Sequence, residues 1–151
     1  MTVWRIAARA HAALDGEGAC LYGSRWTPRG KRAVFAAATL SLAALERFVH
    51  TDPDLEPDDL VAVEIQLPPD AGIEHIETSR LPARWRAYPA PAALVSLGER
   101  WLRGGTTLAL AVPSAVIPRE RNFVLNPAHL AFARIEVVGS EPFTFDPRMW
   151  K

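Results

Sequence analysis

Apolar and polar residues alternate along several short segments of this chain. Residues 2–8 alternate with a period of two, and residues 60–67 do so most clearly, which predicts a half-buried strand in each. The run 107–112 is almost continuously apolar and predicts a central strand. Shorter patterns predict further strands at 32–38, 73–77 and 129–138.

Two segments carry a helical repeat instead. The first is capped by Thr39 or Ser41, whose side chains suit a helix N-terminus, and runs to about residue 50. The second follows Pro91 and ends at Gly104–Gly105, with an apolar stripe spaced by three and four residues.

The remaining segments predict loops and a docked tail. Residues 14–30 are rich in turn-forming residues and show no period, which predicts a long loop. The tail 143–150 is aromatic enough to pack on the body of the domain. Because strands gather around two or three helices without regular alternation, we expect one α+β domain over residues 1–151.

Composition excludes several classes of function. The 151 residues include 17 basic and 17 acidic side chains, so the net charge is zero and gives no electrostatic reason to expect direct nucleic-acid binding. A single cysteine cannot form an internal disulfide, and no His or Cys spacing suggests a metal site. No signal peptide and no membrane span is expected, which leaves the cytoplasm as the predicted compartment.

Glu46 is the first candidate for chemistry. In a helix it lies only about 40° from the apolar residue Leu42, so its carboxylate turns toward the interior. One interpretation is a surface Glu paired with Arg47 or His50. The other is a carboxylate kept beside a cleft, where it meets a hydroxyl or a developing positive charge.

The predicted loop contributes Arg25, with Tyr22 and Trp26 close by in sequence. A guanidinium binds phosphate or carboxylate with two parallel donors, and aromatic rings stack on flat ligands, so these residues suit an anionic ligand that contains a ring. Arg25 could equally tie the loop to backbone carbonyls. No phosphate-loop glycine motif occurs in the chain.

Ser114 follows a predicted strand directly, at a position where sheet proteins commonly bind ligands. It lacks the flanking glycines of a nucleophile elbow, so we expect it to hydrogen-bond a ligand and not to be acylated. Asn122 and Asn126 are interpreted as turn residues.

Taken together, these segments make the chain resemble the RES-domain family of bacterial toxins. The similarity spans nearly the whole chain and rests on the order and spacing of weak motifs. The motifs are Trp4-Arg-Ile, Gly23-Ser-Arg-Trp, the stretch 33–46 that ends in Leu-Glu, Pro113-Ser-Ala-Val-Ile-Pro, Asn122-Phe-Val-Leu-Asn-Pro and Phe145-Asp-Pro-Arg. The Arg, Glu and Ser that name the family fall on Arg25, Glu46 and Ser114.

The resemblance implies a fold like that of ADP-ribosyltransferases and an activity on NAD, used as a substrate and not as a permanent cofactor. Relatives cleave the nicotinamide–ribose bond by hydrolysis or phosphorolysis, and some modify a protein. By this resemblance Arg25 holds the phosphates, Ser114 binds the nicotinamide ribose, and Glu46 stabilises oxocarbenium-like charge. Trp26, Tyr22 and Phe35 complete the expected binding residues.

The resemblance also implies a partner, a helical Xre-like DNA-binding antitoxin that inserts into the cleft, and an assembly of several chains. One position departs from the family. Phe35 stands where Tyr is usual, which removes a hydroxyl. A catalytically weakened module that binds NAD or antitoxin is therefore an alternative, as is a protein ADP-ribosyltransferase. A ribonuclease is disfavoured by the neutral charge.

Overall fold

The computed structural model describes all 151 residues, which form one α+β domain. Seven strands and three helices make up the regular structure. The strands are β1 (Thr2–Ala8), β2 (Val34–Ala37), β3 (Leu60–Gln66), β4 (Ile73–His75), β5 (Ala109–Pro113), β6 (Arg121–Leu125) and β7 (Glu136–Pro142). The helices are α1 (Glu17–Tyr22), α2 (Leu40–Val49) and α3 (Ala92–Gly104). None of these helices has both the length and the apolar character needed to cross a bilayer.

The strands form one mixed sheet in the order β4-β5-β6-β2-β1-β3-β7. Only β4 and β5 run parallel, and all other neighbours are antiparallel. The ladder between β1 and β2 is reduced to one residue pair, Trp4 with Ala37, whereas β1 pairs with β3 over its whole length. The sheet therefore opens between β1 and β2, and this opening becomes important below.

Helices α2 and α3 cover two regions of the sheet. Leu42 and Ala43 of α2 are buried in a cluster that includes Ile6 of β1 and Ala37 of β2. Trp101 of α3 belongs to a second cluster that also contains residues of β5 and β6. Because α2 packs on β1 and β2, it lies directly beside the opening of the sheet.

Most predicted elements are confirmed. Strand β1 has the expected bounds, and Thr39 is the N-cap of α2. Gly105 caps the C-terminus of α3 at a φ of 62°, a left-handed conformation that favours glycine. The tail docks as expected, since Phe145 and Trp150 contact Phe48 of α2 at ring-centroid distances of 5.5 and 4.8 Å.

Two expectations about local structure are wrong. Residues 14–30 contain the six-residue helix α1, which is too short to show a helical period. The segment 129–138 is split, because a 3₁₀ turn over Leu130–Arg134, capped by the His129 side chain, precedes β7. Strand β5, by contrast, is fully buried and flanked by β4 and β6, as predicted for a strand inside the sheet.

Candidate functional site

Helix α2 points the Glu46 carboxylate into the opening of the sheet. The Thr39 hydroxyl caps the helix by accepting a hydrogen bond from the Leu42 amide at 3.1 Å. Leu42 is completely buried against the sheet, and Glu46 lies one turn later on the same side of the helix. The interior orientation predicted for Glu46 is confirmed, and no ion pair with Arg47 or His50 forms.

Two side chains from other strands hold one oxygen of this carboxylate. Ser114 Oγ donates to Glu46 Oε1 at 2.7 Å, and Asn122 Nδ2 donates to the same oxygen at 2.6 Å. Ser114 Oγ also accepts hydrogen bonds from the amides of Val116 and Ile117, each at 3.0 Å. Because those amides occupy the lone pairs of the hydroxyl, its hydrogen is left to point at Glu46.

The second carboxylate oxygen is free. Glu46 Oε2 accepts no hydrogen bond from the protein and is not buried. Glu46 lines the cleft, so this oxygen is accessible to a ligand there. A carboxylate fixed through one oxygen presents the other to a ligand in a defined direction. Such a group can accept a hydrogen bond from a sugar hydroxyl or stabilise positive charge.

Arg25 faces the same cleft from a tight turn after α1. Gly23 leaves the helix at a φ of 69°, and Ser24 Oγ accepts hydrogen bonds from the amides of Trp26 and Thr27. Arg25 Nη1 donates to the carbonyls of Trp85 and Ala87 at 2.8 and 3.1 Å.

One guanidinium nitrogen of Arg25 therefore fastens the loop, which was one of the two interpretations of this residue, while the side chain still lines the cleft. Burial lowers the pKa of the Arg25 guanidinium, and the charge of Glu46 opposes that shift. Arg25 and Glu46 are thus close enough to interact electrostatically across the cleft.

The cleft has a volume of about 300 Å³ and lies where β1 and β2 diverge. It continues outward into a wider vestibule of about 650 Å³ that shares Arg25, Glu46, His50 and Ala115 with it. The vestibule is further lined by Arg86 and the exposed ring of Tyr88. Together the two hollows lie within the size range of small-molecule sites.

The structure brings Arg25, Glu46 and Ser114 together, as predicted, but places Ser114 differently from the other two. Ser114 has no exposed surface and does not line the cleft. Its hydroxyl reaches Glu46, so in this structure it orients the carboxylate and does not face a ligand.

The aromatic residues predicted to bind a ligand separate into two groups. Trp26 and Phe35 line the cleft, as expected. Tyr22 does not: its side chain is exposed and lies against a separate hollow of about 220 Å³. The reason is helix α1, which turns Tyr22 away from the loop that carries Arg25.

Three cleft residues were missed by sequence reasoning. Asn122 was interpreted as a turn residue, but it lies in β6 opposite Ala37 and holds Glu46. Arg5 and Arg47 also line the cleft. The sequence did contain a signal for each arginine. Arg5 lies in the alternating pattern of β1, and Arg47 is next to Glu46 in α2. Asn126 does form the expected turn, since its Oδ1 accepts from the Ala128 amide.

Comparison with known proteins agrees with this architecture. A family model described as "RES domain" matches residues 2–146. A protein of Yersinia enterocolitica named Toxin Res is 37% identical over 154 residues, covering 99% of each chain. A protein of Sphingobium sp. named Prs ADP-ribosylating toxin is 38% identical over 152 residues, covering 97% of this chain and 94% of the relative.

A solved structure has the same fold. The crystal structure of the M. tuberculosis MbcT–MbcA toxin–antitoxin complex contains a chain that superposes with a TM-score of 0.75 at 18% identity. The match covers 95% of this chain and 84% of that one. The family match over nearly the whole length, together with relatives above one-third identity, leads to one conclusion: this chain belongs to the RES domain family.

Proposed function

We propose that this protein is the toxin of a toxin–antitoxin pair and that it consumes NAD by cleaving the bond between nicotinamide and ribose. The observation that carries the proposal is the fixed carboxylate of Glu46. Ser114 and Asn122 hold its Oε1, and its Oε2 is open to a cleft that Arg25 also lines. The names of the Yersinia and Sphingobium relatives support the assignment as a toxin.

The proposed reaction breaks the glycosidic C–N bond of the nicotinamide ribose. The bonding electron pair leaves with the ring nitrogen, which neutralises the positive charge of the nicotinamide. Positive charge then develops on the ribose, and the negative charge of Glu46 stabilises it, as carboxylates do in glycoside hydrolysis. An acceptor oxygen of water or phosphate forms the new bond and loses its proton to solvent.

The remaining cleft residues bind and position the substrate in this proposal. The guanidinium of Arg25 attracts the negatively charged dinucleotide to the mouth of the cleft. Trp26 and Phe35 supply apolar walls for the ring systems. Ser114 acts through Glu46, since its buried hydroxyl does not reach the cleft.

Release of nicotinamide by the purified protein tests this proposal. We expect release from NAD in the absence of antitoxin, and we expect Glu46→Gln to reduce it by about a hundredfold or more because the stabilising charge is lost. Glu99→Gln, a substitution in α3 away from the cleft, is the matched control. Absence of nicotinamide release at high enzyme concentration, with and without phosphate, would contradict the proposal.

Two variants of the function give different products. The name of the Sphingobium relative favours transfer of ADP-ribose to a protein, which predicts labelling of a protein by radioactive NAD together with nicotinamide release. A weakened module, which the Phe35 position favours, predicts NAD binding in calorimetry without release.

We also propose an antitoxin partner that closes the cleft and an action in the cytoplasm on the cellular NAD pool. The structural neighbour was solved as a toxin–antitoxin complex, which supports a partner of that kind. Co-expression of the gene next to this one, followed by loss of nicotinamide release, tests that part of the proposal.

A further inference from the structure

Arg47 is a cation without a protein partner. Its guanidinium donates no hydrogen bond to any protein acceptor and forms no ion pair, although Glu46 is its neighbour in α2. Its Nε atom is buried without an acceptor, and the side chain lines the cleft. A buried donor without an acceptor is unfavourable, so a group that accepts from Arg47 would stabilise the site.

Arg5 also lacks a negatively charged partner. Its guanidinium donates only to two neutral carbonyls, Phe35 O at 3.3 Å and His11 O at 3.4 Å, and both bonds are long. Its Nε is also buried without an acceptor. Burial lowers the pKa of Arg5, the charge of Asp15 opposes this shift, and the positive charge of Arg47 lowers the pKa further.

The two arginines therefore lie near each other in one cleft with no carboxylate in contact with either. By contrast, the half-buried Arg121 forms an ion pair of 2.8 Å with Glu77. Two like charges that are partly removed from water repel each other and lose hydration. An anion placed between them would offset both costs and supply the missing acceptors.

We propose that Arg5 and Arg47 form a subsite for a phosphate group in the cleft, at residues that do not border the vestibule. Arg5, Arg25 and Arg47 all line the cleft, but of these only Arg25 also borders the vestibule. Arg5 instead also borders the hollow of about 220 Å³ beside Tyr22, so the subsite extends away from the vestibule. The subsite rests on the proposed function in one respect, because its phosphate would be either the pyrophosphate of the dinucleotide or inorganic phosphate as the acceptor. Guanidinium groups bind such oxyanions through paired donors.

Calorimetric titration with ADP-ribose and with inorganic phosphate tests the subsite directly. Wild type would be compared with Arg47→Gln, and with Arg103→Gln as a matched control, since Arg103 is exposed at the end of α3. If the pyrophosphate occupies the subsite, Arg47→Gln weakens ADP-ribose binding about tenfold to a hundredfold. If inorganic phosphate occupies it, ADP-ribose binding is unchanged and phosphate binding is lost. Arg103→Gln changes neither affinity.

Either of these two losses supports the subsite and identifies its source. Unchanged affinity for both compounds in folded Arg47→Gln, or no binding of either compound by wild type, overturns it. Arg47→Met, which keeps an unbranched apolar side chain but removes the charge, replaces Arg47→Gln if the latter does not fold, with the same losses expected. Because these titrations need no turnover, a wild-type protein that binds ADP-ribose but releases no nicotinamide contradicts the proposed function and not the subsite.

Discussion

Ser114 and Glu46 are 68 positions apart in the sequence, yet Ser114 Oγ donates a hydrogen bond of 2.7 Å to Glu46 Oε1. The serine is fully buried, and two backbone amides orient its hydroxyl. A side chain that contacts the carboxylate proposed to act in catalysis, but does not line the cleft, should affect the rate of the reaction more than the binding of the substrate.

We expect Ser114→Ala to lower the rate of nicotinamide release by about a hundredfold, because the carboxylate loses one of the two donors that fix it. The dissociation constant for NAD should change little. Single-turnover kinetics and calorimetry measure the two quantities, with the exposed Ser41→Ala of α2 as the control. A loss of NAD affinity equal to the loss of rate would show that Ser114 contacts the substrate.

Sequence reasoning found Glu46 because a helical repeat fixes the angle between two residues of one helix. Leu42 and Glu46 lie on one side of α2 whatever the rest of the chain does. Loop composition suggested Arg25 and the position after a strand suggested Ser114, and the resemblance to RES proteins then implied a role for each. Neither kind of reasoning could show that Ser114 acts through Glu46, because that depends on how β5 places the start of the next turn.

The residues that were missed or misplaced depend on contacts distant in sequence. Asn122 lies in a five-residue strand with too few residues to show alternation, and only its pairing with β2 and β5 directs it to Glu46. Tyr22 was misplaced because α1 has six residues and no visible period. Arg47 is adjacent to Glu46 in the helix, where a surface position was an equally good interpretation of the pattern.

Arg25→Lys should destabilise the fold as well as the site. Arg25 Nη1 joins the loop before β2 to two carbonyls near residue 86, and a lysine cannot reproduce this geometry while still facing the cleft. We expect the free energy of unfolding to fall by about 1–3 kcal/mol. Urea denaturation measures the change, and Arg29→Lys, at an exposed position of the same loop, should leave stability unaltered. Equal stability of both variants would mean that the two carbonyl bonds contribute nothing net.

Phe35→Tyr tests the departure from the family pattern. Phe35 is half-buried in the cleft wall, and a hydroxyl on its ring would add a donor and an acceptor beside the substrate. We expect nicotinamide release to rise by about tenfold or more if water or phosphate is the acceptor, because a positioned polar group stabilises developing charge. Phe132→Tyr, outside the cleft, is the matched control. An unchanged rate in a folded Phe35→Tyr protein would show that the hydroxyl is dispensable here.

Gly98 of α3 packs against the backbone of Trp26, a residue of the cleft wall. A Cβ atom built on Gly98 would lie 1.7 Å from the carbonyl oxygen of Trp26 and 2.8 Å from its carbonyl carbon, so the helix backbone packs directly on the residue that lines the cleft. Both atoms belong to the backbone, which cannot rotate away as a side chain would. Gly98→Ala must therefore displace either α3 or the turn that carries Arg25 and Trp26.

We expect Gly98→Ala to lower the free energy of unfolding by about 3 kcal/mol, at the upper end of overpacking effects. Gly18→Ala in α1 meets no atom within 4 Å and should leave stability equal or slightly raised, because alanine is the better helix former. Thermal denaturation followed by circular dichroism compares the two variants. The folded fraction of Gly98→Ala should also bind NAD more weakly, since Trp26 moves with the turn. If Gly98→Ala keeps wild-type stability and NAD affinity, α3 can shift without changing the cleft, and the close contact between Gly98 and Trp26 is not needed for binding.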